Sequence, residues 1–184
     1  VYNGELKNAE MPRFGMNVQI PKAYYNVKWY GRGKHENYID RKNSAFKGIY
    51  NSTVSDLGYD YSRPQENGYR IENRWLQLTN KEGVGFKVYG DPYISFSAHF
   101  NTIEDFDDGL SENEPGQKSS PRSRIVKKQR KPIDVPKRDF ISLNIDLKQM
   151  GVGGDNSWGA RPLKKYLIQP SSYKYSFIIK PITN

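Results

Sequence analysis

The chain has 184 residues, a length that suits one domain with a sizeable buried core. Tyr, Phe and Trp supply 14% of it beside 16 Gly and 11 Pro, which favours many short strands and turns over long helices. No apolar run approaches the ~20 residues that span a bilayer, zero Cys excludes disulfides and thiol chemistry, and a net charge of +9 raises nucleic acid as a partner to be tested against the charge distribution.

The start, VYNGELKNAEMPR, lacks a basic segment followed by an apolar one, so no signal peptide is read there; in a fragment this leaves export open. Strand candidates then follow at Met16–Ile20 and Val27–Tyr30, with a short helix expected at Asn43–Ala45. A strand is expected at Arg70–Thr79, a hairpin turn at 80–83 (Asn-Lys-Glu-Gly), and a strand at Gly85–Tyr89. Ile94, Phe96, Ala98 and Phe100 alternate with Tyr93, Ser95, Ser97 and His99, a period of two that lays one face on a core. A short helix is expected at Thr102–Phe106, capped by Thr102, with Glu104 and Asp105 in its first turn. Ile141, Leu143, Ile145 and Leu147 alternate again, as do Tyr173, Tyr175 and Phe177. The pattern is all-β, in one unit, without an internal repeat.

Between these strands lies a polar excursion, about 107–137, with prolines at 115, 121, 132 and 136. Residues 118–138 hold nine Lys/Arg and one acid, Asp134, a net +8; residues 104–114 hold six acids and no base. An acidic stretch followed by a basic one reads as a solvated loop joining two adjacent strands. It argues against a nucleic-acid surface, and no membrane partner is read either.

Three stretches are too polar and too glycine-rich for ordinary strand edges: WYGRGKHENYIDR (29–41), RPQENGYR (63–70) and QMGVGGDNSWGAR (149–161). In this order and spacing, with MPRFGM (11–16), ISFSA (94–98) and YKYSF (173–177), they resemble the C-terminal domain of family 2 β-galactosidases, the large lactose-cleaving type. The resemblance runs from about Met11 to Pro181. It implies an antiparallel super-sandwich, galactose mutarotase-like, here lacking its first strands. It also implies a parent that hydrolyses terminal β-D-galactosides with retention, using two glutamates on an upstream TIM barrel. The parent it implies is bacterial in type, homo-oligomeric, and uses Mg2+ and Na+; neither ion is assigned to this portion, and cytoplasm and periplasm both stay open. The charged excursion is longer and more basic than the family pattern.

The residue matching the family's one aromatic contribution to the sugar site is Trp158, supported by Gly153, Gly154, Asp155, Asn156 and Ser157. From the residues alone, two readings stand level. A sugar's C–H face packs on an indole while neighbouring polar groups meet its hydroxyls, so Trp158 suits a sugar platform; it equally suits a plug for the sandwich. Gly151, Gly153 and Gly154 permit turns that other residues resist, and Asp155, Asn156 and Ser157 can tie the loop to its own backbone.

No catalytic residue is assigned within the chain. Retaining hydrolysis needs two carboxyl groups about 5–5.5 Å apart. Glu36, Asp40 and Glu66 qualify by type, but each has Arg32, Arg41, Arg63, Asn37 or Asn67 nearby, a pattern that ties loops together. With only His35 and His99, no set has metal-ligand spacing, and a mutarotase-like pair such as His99 with Glu66 has only fold analogy behind it. Two other functions compete with the accessory domain: a stand-alone carbohydrate-binding module, and a polyanion binder working through 118–138.

Overall fold

The computed structural model describes residues 11–62, 64–106, 131–154, 160–169 and 171–183. Seven strands form one antiparallel sheet: β1 (Arg13–Pro21), β2 (Asn26–Gly33), β3 (Phe46–Thr53), β4 (Arg70–Thr79), β5 (Gly85–His99), β6 (Phe140–Gln149) and β7 (Ser176–Ile182). Helix is confined, among the described residues, to the single turn α1 (Val54–Leu57) and three 3-10 turns. The all-β expectation holds.

The spatial order is β1-β6-β5-β4-β2-β3, and β7 pairs with β5 as well. β5 is the spine. Its first half, Gly85–Asp91, pairs with β7, and its second, Ser95–His99, pairs with β6. The turn at 80–83 forms the β4–β5 hairpin as expected: the Asn80 amide donates to Val84 O at 2.8 Å, and the Asn80 side chain accepts from the Glu82 and Val84 amides. The two segments read separately at 85–89 and 93–100 are one strand, continuous through Asp91 and Pro92.

Alternation puts Val27, Trp29, Leu76, Leu78, Val88, Ile94, Phe96, Ala98, Ile141, Leu143 and Ile145 on one face, all buried, with Val54 and Leu57 of α1 packed on them. Trp29 is the largest of these; Tyr50 and Phe96 lie 5.4 and 5.8 Å away, centroid to centroid, and its indole N–H donates to Arg32 O. A truncation there removes ~3–5 kcal/mol of stability, because the cavity cannot collapse.

The opposite face of β6 and of the second half of β5 is polar yet buried, at Ser95, Ser97, Ser142, Asn144 and Asp146, while Asn17 and Gln19 of the neighbouring β1 stay exposed. Asn17 donates to Ser142 and Asn144, and Asn144 donates to Ser97. Asn67 and Gly68 lie against His99 above this ladder. Burial is tolerable for Ser97, Ser142 and Asn144 because they are hydrogen-bonded.

Elsewhere the structure departs from the pattern. Asn43–Ala45 is a turn closed by the Ala45 amide on Lys42 O, not a helix. At 102–106 only Glu104–Phe106 is helical, as a 3-10 turn with Glu104 and Asp105 in its first turn, and the Thr102 amide donates to the Asp105 carboxylate. Arg138 donates to the same Asp105 carboxylate, and the Arg138 amide bonds Phe100 O. These contacts bring together the two ends of the excursion, which joins β5 to its neighbour β6; residues 107–130 lie outside the described ones. The strand read at 173–177 begins at Ser176, because Tyr173 and Tyr175 turn their rings onto Phe14.

Candidate functional site

The glycine-rich loop leaves the end of β6 and is tied at its root to three distant parts of the chain. The Met150 amide donates to Pro12 O at 2.9 Å, the Gly151 amide to Tyr166 O at 2.8 Å, and the Gly153 amide to Asp40 Oδ2 at 2.8 Å. Asp40 comes from the 29–41 motif, so this bond joins the first and third of the three motifs.

Two backbone features demand glycine here. Gly153 has φ +65° and Gly154 has φ +90°. A Cβ on Gly153 would also sit 2.8 Å from Ala160 O, and one on Gly151 would sit 2.5 Å from Asp40 Oδ2. The loop therefore turns in a left-handed conformation against the chain that returns at Ala160. Trp158, Asp155, Asn156 and Ser157 lie outside the described residues. What is described is the fixed root of the loop.

The first two motifs meet in a second cluster. Glu36 is a hub: Oε1 accepts from Arg41 at 2.5 Å and from the Tyr61 hydroxyl, while Oε2 accepts from Tyr38 at 3.1 Å and from the Gly68 amide at 2.8 Å. Burial, reinforced by Glu36, pushes the Tyr38 hydroxyl well up and the Tyr61 hydroxyl up, so both stay protonated as donors. Asn37 bridges His35 O and the Ile71 amide, and Asn67 bridges Gln65 O and the Tyr59 amide. Arg70 donates to Leu57 O, Gly68 O and Lys34 O; burial lowers its pKa to about 10, leaving it a cation at neutral pH.

Arg32 donates to Glu72 at 2.9 Å and Lys42 to its other oxygen at 2.6 Å. Glu72 sits at a bulge with φ +57°. Arg63 lies outside the described residues; the other carboxylates and cations singled out go to loop ties. Glu36, with four donors on its two oxygens, keeps no lone pair aimed at a ligand.

His99 and Glu66 do not pair. The His99 ring donates from Nε2 to Asn67 O at 2.8 Å, and burial lowers its pKa, so it is neutral near pH 7. Glu66 pairs with Arg13, whose Nε also reaches Asp146 at 3.2 Å. Asp146, like Glu72, stands outside the three motifs; on β6 it alternates with Ile145 and Leu147. It is fully buried, and burial raises its pKa to about 7 against the pull of Arg13 and the Tyr69 hydroxyl. Among the described residues no group of three or more His, Asp or Glu comes together to hold a metal ion.

A family model described as beta galactosidase small chain matches residues 1–179. The chain belongs to the β-galactosidase small-chain family. The beta-galactosidase of Priestia megaterium is 33% identical over 175 residues, covering 94% of this chain and 15% of the relative. That of Vibrio cholerae is 32% identical over 170 residues, covering 92% and 14%, and that of Streptococcus thermophilus 27% over 184, covering 98% and 16%. The chain spans about 15% of the length of the curated relatives it matches.

Proposed function

We propose that the chain is the C-terminal portion of a family 2 β-galactosidase that hydrolyses terminal β-galactosides with retention. Its sheet is one layer of a galactose mutarotase-like super-sandwich. Its share of the sugar site is Trp158, which offers an indole face at the mouth, while the catalytic glutamates stand on a TIM barrel in the rest of the parent. By the family resemblance such a parent uses Mg2+ and Na+, and neither ion is assigned to this portion.

The observation that carries this reading is the anchored loop root. Three backbone amides within four residues are fixed by Pro12, Asp40 and Tyr166, segments far apart in sequence. A platform residue needs such a base, because a loop held loosely loses the ordering entropy again on binding. The test is Trp158→Ala in the intact parent. Loss of one stacking face costs about 1–2 kcal/mol, roughly a tenfold rise in KM for lactose or in the inhibition constant of galactose. Unchanged sugar affinity would assign Trp158 to packing alone. The isolated chain is expected to show no turnover; a full rate from it would refute the proposal.

A further inference from the structure

Residues paired directly across an antiparallel sheet project from the same face. On the face opposite the core, five paired positions form one row: Ile49 with Tyr30, Tyr30 with Trp75, Trp75 with Tyr89, and Tyr89 with Ile178. The row crosses β3, β2, β4, β5 and β7 without a polar interruption. Ile49 is 61% exposed, Ile178 59% and Tyr30 37%. Trp75 and Tyr89 between them are half-buried. Single exposed apolar side chains are ordinary on a soluble surface, but a contiguous band of large ones marks a contact site.

The next outward row is Asn51, Lys28, Gln77, Lys87 and Lys180, by the same pairings. It holds three lysines and no acid. Lys87 Nζ lies 3.7 Å from the Trp75 ring centroid and 5.1 Å from that of Tyr89, so the cations rim the apolar row.

We infer that this row is a docking surface for another face of the parent β-galactosidase polypeptide, one presenting apolar side chains rimmed by Asp and Glu. The inference rests on the proposed function for the existence of that parent. The chain's relatives are about seven times its length, so most of a parent of that size lies elsewhere and must meet this unit somewhere. The lysine row sets the sign of the partner. It also opposes a second copy of the same face, whose lysines would meet like charges. A sugar chain fits less well: Lys87 covers a face of Trp75, the Tyr30 and Trp75 rings are inclined at 53°, and the row ends in aliphatic Ile at both sides.

The test is hydroxyl-radical footprinting of the intact parent, with urea-unfolded enzyme as the exposed reference and Trp29 as the internal check of folding. If the surface is open, Tyr30 labels at roughly a third of its unfolded rate, as its 37% exposure dictates. If it is docked, Tyr30 and Ile178 fall below about a twentieth of that rate. Replacing both Lys87 and Lys180 by Glu, with Trp29 still unlabelled, restores labelling at least about fivefold, because like charges then face the acidic rim. Open-surface labelling in the parent overturns the inference. So does labelling that returns on dilution to single polypeptides, which assigns the face to a second copy, or an open face suppressed by added oligosaccharide. Protection unchanged in the double lysine variant overturns the acidic partner. Footprinting does not depend on turnover, so its failure and a failure of the Trp158 kinetics are told apart.

Discussion

Asp146→Asn separates two opposed forces on one buried carboxyl. Asp146 has 0% exposure and Arg13 Nε at 3.2 Å. Burial favours the neutral acid and Arg13 the anion; burial wins, and the pKa rises from 3.8 to about 7. A folded pKa above the unfolded one means that the folded state holds the proton more tightly. Asp146 therefore contributes stability that is full below about pH 4 and is lost as pH rises to about 7. A shift of about three units corresponds to ~4 kcal/mol across that window. Asn does not titrate, so the variant's stability relative to the native chain improves by about 3–4 kcal/mol between pH 4 and pH 8. Arg13 keeps Gln149 and Glu66 as partners in the variant. The assay is the urea midpoint of both proteins at pH 4, 5, 6, 7 and 8. A difference that grows as pH falls would refute the reasoning, because that slope belongs to a carboxylate held ionised by Arg13.

Glu72 has the reverse sign: burial raises its pKa, but Lys42 and Arg32 outweigh burial and bring it to about 2. Its stabilisation is present above about pH 4.5 and is lost as pH falls, so Glu72→Gln costs about 1–2 kcal/mol at pH 7 and much less at pH 3, read by denaturant titration. Gly153→Ala costs about 1–3 kcal/mol of stability, since φ +65° and the 2.8 Å approach to Ala160 O both oppose a Cβ. Asp40→Ala removes a charge-assisted bond worth about 1–2 kcal/mol; in the parent it should raise KM toward the Trp158→Ala value, with native KM counting against the loop's dependence on this anchor.

The strands that proved legible are those with one buried and one polar face. Ile141 to Ile145 and Ile94 to Ala98 alternate because every second side chain enters the same core. β3 escaped notice because it is an edge strand: Phe46 and Ile49 are 74% and 61% exposed on opposite faces, and Gly48 breaks the pattern. α1 is a single turn without a side-chain cap bond, below what periodicity detects. At the site, the glycines marked the loop, but its anchor Asp40 is 113 residues from Gly153, a separation that no local pattern encodes. The burial of Asp146 was hidden for the same reason, as its cover comes from Arg13 and Tyr69.

The division of β5 between two partners has a consequence for how the chain is made. β2, β3, β4 and β5 pair with near neighbours in sequence and can close as soon as residue 99 has emerged. The other edge of β5 then stays open until β6 arrives for its second half and β7 for its first, with Gly85 waiting for Ile182. β1, the earliest of these seven strands, gains its partner among them only when Phe140–Gln149 follows. A ribosome stalled in the 107–137 excursion would thus hold a half-finished sheet with two unsatisfied strands, Arg13–Pro21 and Gly85–His99, the kind of nascent intermediate that chaperones bind.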